Sequence, residues 1–472
     1  MKLMITCKLM LKVLVPLALI VMMVSTVYAA PPTLIWSDAV GTNDIALSKD
    51  GNYVAVASGN QLRFYGRSSS TPIWTFTAPS GTVESVAISA NGDCVVAGEY
   101  VSSGSGGIAF WKNARSQTGT PSPTWSSVDL KGGIFRGCLD ISDDGNNVVA
   151  CGTGRWVFYW ANAKGRSTTS ESVSWQSIWY WQVEEVDLSS DGDYVAAGVK
   201  TSSAPAIYGA AYWKNAKTLT GNPQAPDWLS TEPADRVTGI AVSDDGNYVA
   251  VATGSTLSVH YWANAKSLTG DPAHTWYYGS GTYFSSIDMS SDGNSVIAGG
   301  SGRVPVNIAP QKGDTSKAAL GGVTGGVVYF WSGAKGLTGK PQNPTWTYTT
   351  EANIHDVAID DVGTYMAADA NILIPGEVYF FNSGGTLLWS YPIDIADKVS
   401  ISGDGGTLAV GTSAANTGYL LSTGFSSGNL PNPVGGLVIP TNKTEILAPF
   451  LAVAGLIVAV SAVVVAKKRS KD

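Results

Sequence analysis

The chain has 472 residues, of which 14% are charged, and its net charge is −7 at pH 7. This acidic balance provides no basic surface, so nucleic acid is excluded as the expected partner. Glycine and tryptophan are frequent, with 54 and 16 residues respectively, and there are four cysteines.

The first 29 residues have the pattern of a secretory signal peptide. Three lysines lie within the first twelve residues, residues 13–24 form an apolar stretch, and Val27-Tyr28-Ala29 is a small-residue cleavage pattern. The alternative is an uncleaved N-terminal anchor, although the apolar stretch is short for a membrane span. We predict that residues 1–29 are a signal peptide.

One motif then occurs eight times with small variations: an apolar residue, Ser, any residue, Asp and Gly, followed by an apolar run. The copies begin at Leu47, Ile88, Ile141, Leu188, Val242, Met289, Ile359 and Ile401. Their glycines are 41, 53, 47, 54, 47, 70 and 42 residues apart. A period in this range, carried by a strand-like pattern, is typical of a β-propeller.

The fifth repeat illustrates one unit. Residues 237–243 alternate in polarity and indicate a first strand, and Asp245-Gly246 follows as a hairpin turn, since glycine accepts the positive φ required there. Residues 248–252 and 257–262 form the second and third strands, and a polar connection leads to a fourth strand around Trp276. Four antiparallel strands per repeat make one propeller blade.

A tryptophan marks each fourth strand. The positions are Trp74, Trp125, Trp175, Trp228, Trp276, Trp346 and Trp389. An eighth, Trp36, precedes the first repeat, whereas the last repeat has no tryptophan after Leu421. We predict an all-β, eight-bladed β-propeller over residues 30–421, closed by the N-terminal strand around Trp36, with seven blades as the alternative.

The repeats resemble WD-repeat-like and pyrroloquinoline-quinone-type propeller repeats. Residues 381–389 (FNSGGTLLW) and 399–405 (VSISGDG) are similar to the version found in surface proteins, and the resemblance covers roughly residues 33–421. It is specific for fold and not for activity. Strict WD repeats carry Gly-His and Trp-Asp pairs, but Trp111-Lys112 and Trp262-Ala263 lack the acid.

The quinone-dependent enzymes are one functional class that this resemblance suggests. Residues 268–276 (LTGDPAHTW) are similar to their tryptophan-docking motif, which holds blades together and performs no chemistry. Those enzymes also need a Ca²⁺ cluster, an aspartate base and commonly a vicinal cysteine pair, and the sequence has no vicinal cysteines. We therefore predict no cofactor.

The C-terminal region reads as a membrane anchor. Residues 422–445 are rich in Gly, Pro, Ser and Asn and indicate a flexible stalk, with an acceptor sequon at Asn442. Residues 446–466 are uncharged and form a predicted transmembrane helix about 30 Å long. Residues 467–472 form a basic tail that favours the cytoplasmic side. The propeller is thus predicted to lie outside the cell on a single-pass anchor.

Candidate binding residues lie in loops on one face of the predicted propeller. Aromatic residues gather in the connections from a fourth strand to the next first strand, and charged residues gather in the loops between second and third strands. The candidates are Trp179, Tyr180, Trp181, Tyr278, Tyr283, Arg155, Trp156 and Arg303. The alternative is that the aromatic residues pack between blades.

Histidines and cysteines give weaker indications. His260, His274 and His355 lack metal-type spacing and are expected in separate blades, so no metal site is predicted. Cys138 and Cys151 flank the Asp144-Gly145 turn at equal distances, which places them opposite each other on adjacent strands. They form either a disulfide bond or two free buried thiols.

Two functional hypotheses follow. The first is a membrane-anchored cell-surface module for binding, adhesion or scaffolding, with a protein or glycan partner at the cell envelope. The second is an extracellular propeller enzyme, a lyase, hydrolase or quinoprotein, with its site at the central channel. Converging charges at the channel mouth, or bound Ca²⁺, would favour the enzyme. The sequence shows only scattered charges and no catalytic motif, which favours the binding module.

Overall fold

The computed structural model describes residues 31–428 with gaps. The residues left out within this range are 103–104, 131–132, 135–136, 153–154, 169, 179, 181, 202–206, 255, 280–282, 304–323, 340, 372–375, 394 and 413–416. The predicted signal peptide, transmembrane helix, basic tail and Asn442 lie outside the described residues. Within the described part, no helix is long and apolar enough to cross a membrane.

The first strand, β1 (Thr33–Asp38), precedes the repeats. Blade 1 contains β2 (Asp44–Leu47), β3 (Tyr53–Ser58), β4 (Gln61–Gly66) and β5 (Trp74–Thr77). Blade 2 contains β6 (Thr82–Ile88), β7 (Cys94–Ser102), β8 (Ser105–Lys112) and β9 (Trp125–Leu130). Blade 3 contains β10 (Leu139–Ile141), β11 (Val148–Cys151), β12 (Val157–Trp160) and β13 (Trp175–Ser177). Blade 4 contains β14 (Gln182–Leu188), β15 (Val195–Lys200), β16 (Tyr208–Trp213) and β18 (Trp228–Ser230), with β17 (Gly221–Gln224) in its last connection.

Blade 5 contains β19 (Val237–Val242), β20 (Tyr248–Thr253), β21 (Ser258–Ala263) and β22 (Trp276–Gly279). Blade 6 contains β23 (Tyr283–Met289), β24 (Ser295–Arg303), β25 (Thr324–Ser332) and β26 (Trp346–Thr349). Blade 7 contains β27 (Ile354–Ile359), β28 (Tyr365–Ala370), β29 (Gly376–Asn382) and β30 (Leu387–Ile393). Blade 8 contains β31 (Ala396–Ile401), β32 (Thr407–Thr412) and β33 (Thr417–Ser422). Short 3-10 helices span Ala114–Ser116, Ala163–Gly165, Ala265–Ser267 and Ala334–Gly336.

The eight-bladed propeller and its closure by the N-terminal strand are confirmed. Strand β1 pairs antiparallel with β33, so that blade 8 has the order β1-β33-β32-β31. The side chain of Asp38 in β1 accepts a hydrogen bond from Tyr65 Oη of blade 1 at 2.7 Å. Trp36 stacks on Tyr65, with ring centroids 5.0 Å apart. Both ends of the chain thus hold the same blade, and its outer strand also contacts the first blade.

The repeated motif forms a turn that is closed by hydrogen bonds of its own side chains. In blade 5 the hydroxyl of Ser243 donates to Asp245 Oδ1 at 2.7 Å and accepts from the backbone N–H of Tyr248 at 3.0 Å. Gly246 has a φ of 72°, and a side chain there would collide with the ring of Tyr194 in the previous blade. The motif therefore specifies both the hairpin and the close approach of neighbouring blades.

These turns also form a closed ring around one end of the channel. In each blade, the residue that follows the motif's first polar residue takes part in a backbone hydrogen bond of 2.8–3.1 Å to the matching residue of the next blade. The donor is the N–H of that residue itself, except in blade 1, where it is the N–H of Asp50. The ring runs through Lys49, Ala90, Asp143, Ser190, Asp244, Ser291, Asp361 and Gly403. We call this end the turn face, since it carries the motif turns and the connections from third to fourth strands. The other end, with the remaining connections, is the loop face.

Tryptophans at the start of the fourth strands join blades on the turn face. In seven blades the indole N–H donates to a backbone carbonyl of the next blade at 2.8–3.1 Å. The acceptors are Ala114, Ala163, Ala216, Ala265, Ala334, Ser383 and Thr423. Most belong to the recurring Asn-Ala-Lys and Asn-Ala-Arg connections, whose asparagines Asn113, Asn162 and Asn264 have φ between 55° and 58°. The recurring connections are thus part of the structure that holds the ring together.

The packed region continues into the start of the predicted stalk. Ser422 ends β33, and Thr423 is buried while its carbonyl accepts the bond from Trp389. Phe425 packs on Tyr365, with ring centroids 5.5 Å apart. Residues 422–428 therefore belong to the propeller, because they fill the space that the last blade leaves beside blade 7.

Candidate binding site at the mouth of the central channel

Several carboxyl groups line the channel. They belong to residues that lie two positions before the motif's first polar residue. Asp140, Asp187 and Asp288 reach from one blade to the open inner edge of the next. They accept hydrogen bonds from the backbone N–H groups of Leu188 at 3.0 Å, Val242 at 2.6 Å and Ile359 at 2.9 Å respectively. The innermost strand of each blade has an unpaired edge, and these side chains satisfy part of it.

A second layer of side chains also lines the channel. Its members lie four positions before the motif's first polar residue. Asp356 accepts a bond from Ser286 Oγ at 2.8 Å and another from Val399 N–H at 3.0 Å, and Asp44 accepts in the same way from Ser85 Oγ and Val86 N–H. The layer comprises Asp44, Ser85, Cys138, Glu185, Gly239, Ser286, Asp356 and Lys398. Three of its members are acidic and one is basic.

The mouth of the channel on the loop face is a polar recess of about 390 Å³, lined by residues of six blades. Its ion pairs are Arg236–Glu184 at 3.1 Å, Lys398–Asp356 at 3.4 Å and His355–Asp397 at 3.6 Å. It is further lined by Glu185, Thr238, Tyr283, Ser285, Ser286, Ser301 and Asn353. Charges that lie far apart in the sequence therefore converge at one place.

Burial raises the pKa of several of these carboxyl groups. Desolvation brings the pKa of Glu185 to about 8, with Asp356 and Asp187 adding to the rise and Lys398 opposing it. The pKa of Asp288 rises to about 7 for the same reason. Desolvation also lifts the pKa of Asp140 to about 6 and that of Asp187 well above its usual range, and these two side chains are hydrogen-bonded to each other. Part of the channel wall thus holds protons at neutral pH.

At the turn face, one lysine closes the channel. Lys49 Nζ lies 3.0 Å from Asp143, 2.9 Å from Asp244 and 3.6 Å from Asp361, which come from blades 3, 5 and 7. These three carboxylates raise the pKa of Lys49 although burial opposes the rise. This cluster was not predicted from the sequence, although all four residues occupy the same position of the repeated motif.

The predicted binding residues separate in the structure. Tyr283 is 40% exposed and lines the recess. Tyr180 is buried in the hydrophobic core, with its backbone N–H donating to Arg155 O at 2.9 Å, so its side chain does not face a partner. Tyr278 packs on Trp331 at 5.5 Å between blades, as the packing alternative predicts.

The remaining candidates give less information. Trp156 is half-buried and contacts Phe158, with ring centroids 6.4 Å apart. Arg155 has a φ of 76° in its loop. Arg303 ends β24, and its side chain, like Trp179 and Trp181, lies outside the described residues.

The expectation that the three histidines lie in separate blades is wrong. His260 and His274 both belong to blade 5, where their Nδ1 atoms are 3.0 Å apart. Strand β21 and the following connection fold back on each other, which brings positions 14 residues apart together. Among the described residues, no group of three or more His, Cys, Asp or Glu side chains is arranged to hold a metal ion.

Cys138 and Cys151 face each other across strands β10 and β11. Their Cα atoms are 4.7 Å apart and the structure pairs their sulfur atoms. Cys94 is a free, buried thiol, and burial raises its pKa to about 12.

The channel residues could have been found from the sequence by counting back from each motif. Positions two and four residues before the motif's first polar residue are apolar or small in several repeats and acidic in others. The acidic or basic members are Asp44, Asp140, Glu185, Asp187, Asp288, Asp356 and Lys398. When the repeats are aligned by their motif, these charged residues fall at two positions, which correspond to the two layers of the channel.

The fold is similar to a solved propeller. The crystal structure of the C-terminal WD40 domain of Sif2 superposes with a TM-score of 0.60 at 12% sequence identity. The match covers 84% of this chain and 99% of that chain. At this identity the likeness shows the WD40 β-propeller fold alone. No protein-family model matches the chain, and no curated protein matches it.

Proposed function

We propose that this chain is a membrane-anchored, cell-surface β-propeller that acts as a binding or scaffold module for a protein or glycan of the cell envelope. The partner binds at the loop face. One observation carries the proposal: the polar recess of about 390 Å³, to which residues of six blades contribute at the channel mouth. Concave sites with a few convergent polar groups are where folds of this kind bind partners.

The contrast between the two faces supports this choice. The turn face is occupied by contacts within the protein, namely the backbone ring, the tryptophan bonds between blades and the Lys49 cluster. The loop face carries the connections that differ most between repeats, including the long insert of blade 6. Variable loops on a rigid scaffold suit recognition of one partner. Trp179 and Trp181 remain proposed aromatic anchors there.

The cell-surface location is proposed from the sequence at the two ends of the chain. A signal peptide at residues 1–29 and a span at residues 446–466 would place the propeller outside and residues 467–472 in the cytoplasm. Protease treatment of intact cells tests this. The expected result is release of a propeller fragment, while a C-terminal epitope tag stays protected until the membrane is opened.

The binding test uses the soluble propeller, residues 30–428, as bait for native envelope material. The mouth variant combines Arg236→Ala and Tyr283→Ala, and the control variant combines Val362→Ala and Lys217→Ala on the turn face. We expect capture by the wild type and the control, and loss of at least about tenfold in the mouth variant. Protease or periodate treatment of the envelope material separates a protein from a glycan partner. Equal capture by all three proteins would contradict the proposal.

The enzyme remains the second candidate, because charges do converge at the channel mouth. A carboxyl with a pKa of about 8, as at Glu185, has the value of a general acid that works near neutral pH. Incubation of the soluble propeller with envelope polysaccharide decides the point. Products released by the wild type and not by Glu185→Gln would favour a lyase or hydrolase over a binding module.

A further inference from the structure

The recess contains one buried acceptor to which none of the described residues donates a hydrogen bond. Asn353 Oδ1 is buried and has no hydrogen-bond partner among the described residues. Two nearby hydroxyl donors are already engaged, Ser285 with the carbonyl of Ile354 at 2.6 Å and Ser286 with Asp356 at 2.8 Å. A buried acceptor without a donor costs free energy, so it favours a ligand that brings N–H groups.

The charges of the recess are also arranged by depth. The side chains of Glu184 and Asp356 are only 9% and 10% exposed, whereas that of Arg236 is 58% exposed. Asp187 and Asp288 lie further along the channel wall, next to Glu185 and Asp356 respectively. The inner recess is therefore lined mainly by carboxyl groups and Lys398, while Arg236 lies at the outer rim. The interior becomes negative as these carboxyl groups ionise.

We propose that the recess binds a primary amine or a guanidinium group, which donates hydrogen bonds to the carboxyl of Glu185 and to Asn353 Oδ1. This inference rests on the proposed function, since it names the chemistry of the group that the same face binds. The cation comes either from a lysine or arginine side chain of a polypeptide or from a free polyamine. Both sources present the same N–H donors, and charge-assisted bonds to a desolvated carboxylate are the strong ones.

Binding of such a cation is coupled to a proton. Burial raises the pKa of Glu185 to about 8, so the carboxyl is mostly protonated at pH 6 and must release its proton to pair with the ligand. The other charged groups facing it are Lys398, which lowers this pKa, and Asp356 and Asp187, which raise it. The more exposed Arg236 and His355 lie at the rim, where they pair with Glu184 and Asp397 respectively. Affinity should therefore rise with pH up to about pH 8.

The experiment is isothermal titration of the soluble propeller at pH 6, 7 and 9 with four probes. These are the tripeptides Gly-Lys-Gly, Gly-Arg-Gly and the neutral Gly-Gln-Gly, and the polyamine spermidine. We expect the cationic probes to bind and the neutral peptide not to, with affinity at pH 6 at least about tenfold below that at pH 9. Preference for the peptides over spermidine, or the reverse, identifies the source.

Glu185→Gln keeps the shape of the side chain and should weaken cation binding at least about tenfold and remove its pH dependence. Glu99→Gln, a carboxamide placed outside the recess, is the matched control and should behave as the wild type.

Two results would overturn the inference: equal binding of the neutral and cationic peptides, or a Glu185→Gln variant with the wild-type pH profile. Its failure is distinguishable from that of the proposed function. If envelope capture persists in Glu185→Gln while no cationic probe binds, the binding module stands and the ligand chemistry is wrong. If cationic probes bind but no envelope material is captured, the recess is a small-molecule site and the proposed function is wrong.

Discussion

Trp125 in blade 2 donates a hydrogen bond from its indole nitrogen to the carbonyl oxygen of Ala163 in blade 3, over 2.8 Å. Its ring also lies against Trp160 of blade 3, with centroids 6.2 Å apart. The indole-to-carbonyl bond recurs in seven blades. In blades 1 to 6 the tryptophan ring also contacts an aromatic ring of the next blade. The closing blade differs, because Trp36 Nε1 is buried and has no hydrogen-bond partner among the described residues.

This difference predicts unequal effects of the same substitution. Trp125→Phe removes the shorter of two hydrogen bonds to the carbonyl of Ala163 and leaves only the bond from Arg166 N–H at 3.3 Å. We expect a loss of about 0.5–1.5 kcal/mol beyond that of the lost ring volume. Trp36→Phe removes an N–H that has no partner, so that part of the loss should be absent. Chemical denaturation of the two variants measures the difference. Equal destabilisation would mean that the bonds between blades contribute nothing net.

Lys49 offers a second test, because one ammonium neutralises three carboxylates that come from different blades. Lys49→Met leaves Asp143, Asp244 and Asp361 facing one another. We expect the free energy of unfolding at pH 7 to fall by about 1–3 kcal/mol, which lies between the loss for an exposed ion pair and that for a buried one. The loss should shrink near pH 4, because burial raises the pKa of Asp143 and Asp361 and these two carboxylates protonate there. The control is Lys335→Met, which removes a single surface pair with Asp292 at 2.9 Å and should cost at most about 1 kcal/mol. A Lys49 variant as stable as this control would show that the cluster is screened by solvent.

The channel carboxyls predict that the propeller is more stable in mild acid than in mild base. Burial raises the pKa of Glu185 to about 8 and that of Asp288 to about 7, against values of about 4 in the unfolded chain. The folded state therefore holds more protons between about pH 4 and pH 8, and its stability is lost as pH rises through that window. Thermal melting should give a higher Tm at pH 5 than at pH 8.

A single substitution tests whether the channel carboxyls cause this fall in Tm with rising pH. Asp288→Asn keeps an acceptor for Ile359 N–H but cannot ionise, so it should reduce the fall in Tm between pH 5 and pH 8. For Asp191 and Asp292, desolvation raises the pKa, but hydrogen bonds and a nearby lysine together outweigh it and lower the pKa. These two groups should give the opposite trend below about pH 4. A Tm that rises from pH 5 to pH 8 would contradict the assignment of protonated carboxyls to the channel.

The cysteines predict one bond and one inert thiol. Non-reducing peptide mapping should link Cys138 to Cys151, and Cys94 should react with an alkylating reagent only after denaturation, because it is buried and its pKa is raised. In the chain-entropy model a loop of this length contributes about 3 kcal/mol, so Cys138→Ser with Cys151→Ser should lower stability by up to that amount. A Cys94 linkage to either partner would exclude this pairing.

The fold could be predicted from the sequence because the signal is local and repeated eight times. The motif fixes a hairpin in every blade, and the offset of Trp36 from the other seven tryptophans predicts closure by the N-terminal strand, which the pairing of β1 with β33 confirms. Even weak evidence per repeat becomes decisive when the same turn recurs at a constant spacing.

The channel site was not predicted, because its residues differ from repeat to repeat. Glu185, Asp356 and Lys398 occupy one structural position, but they share no residue type, and their common place is visible only when the repeats are aligned by the motif that follows them. Exposed and buried aromatic residues were also indistinguishable in the sequence. Tyr180 lies just before a first strand and Tyr283 begins one, yet the first fills the core and the second lines the recess.

Site-specific photo-crosslinking tests most directly whether the channel mouth is where the protein binds. A benzophenone amino acid replaces Tyr283 at the mouth, which is 40% exposed, or Val362 on the turn face, which is 42% exposed. The full chain is irradiated on intact cells and the crosslinked products are separated by mass. The account predicts a discrete partner adduct from position 283 and none from position 362. Adducts from position 362 alone would contradict it and place the binding surface on the turn face.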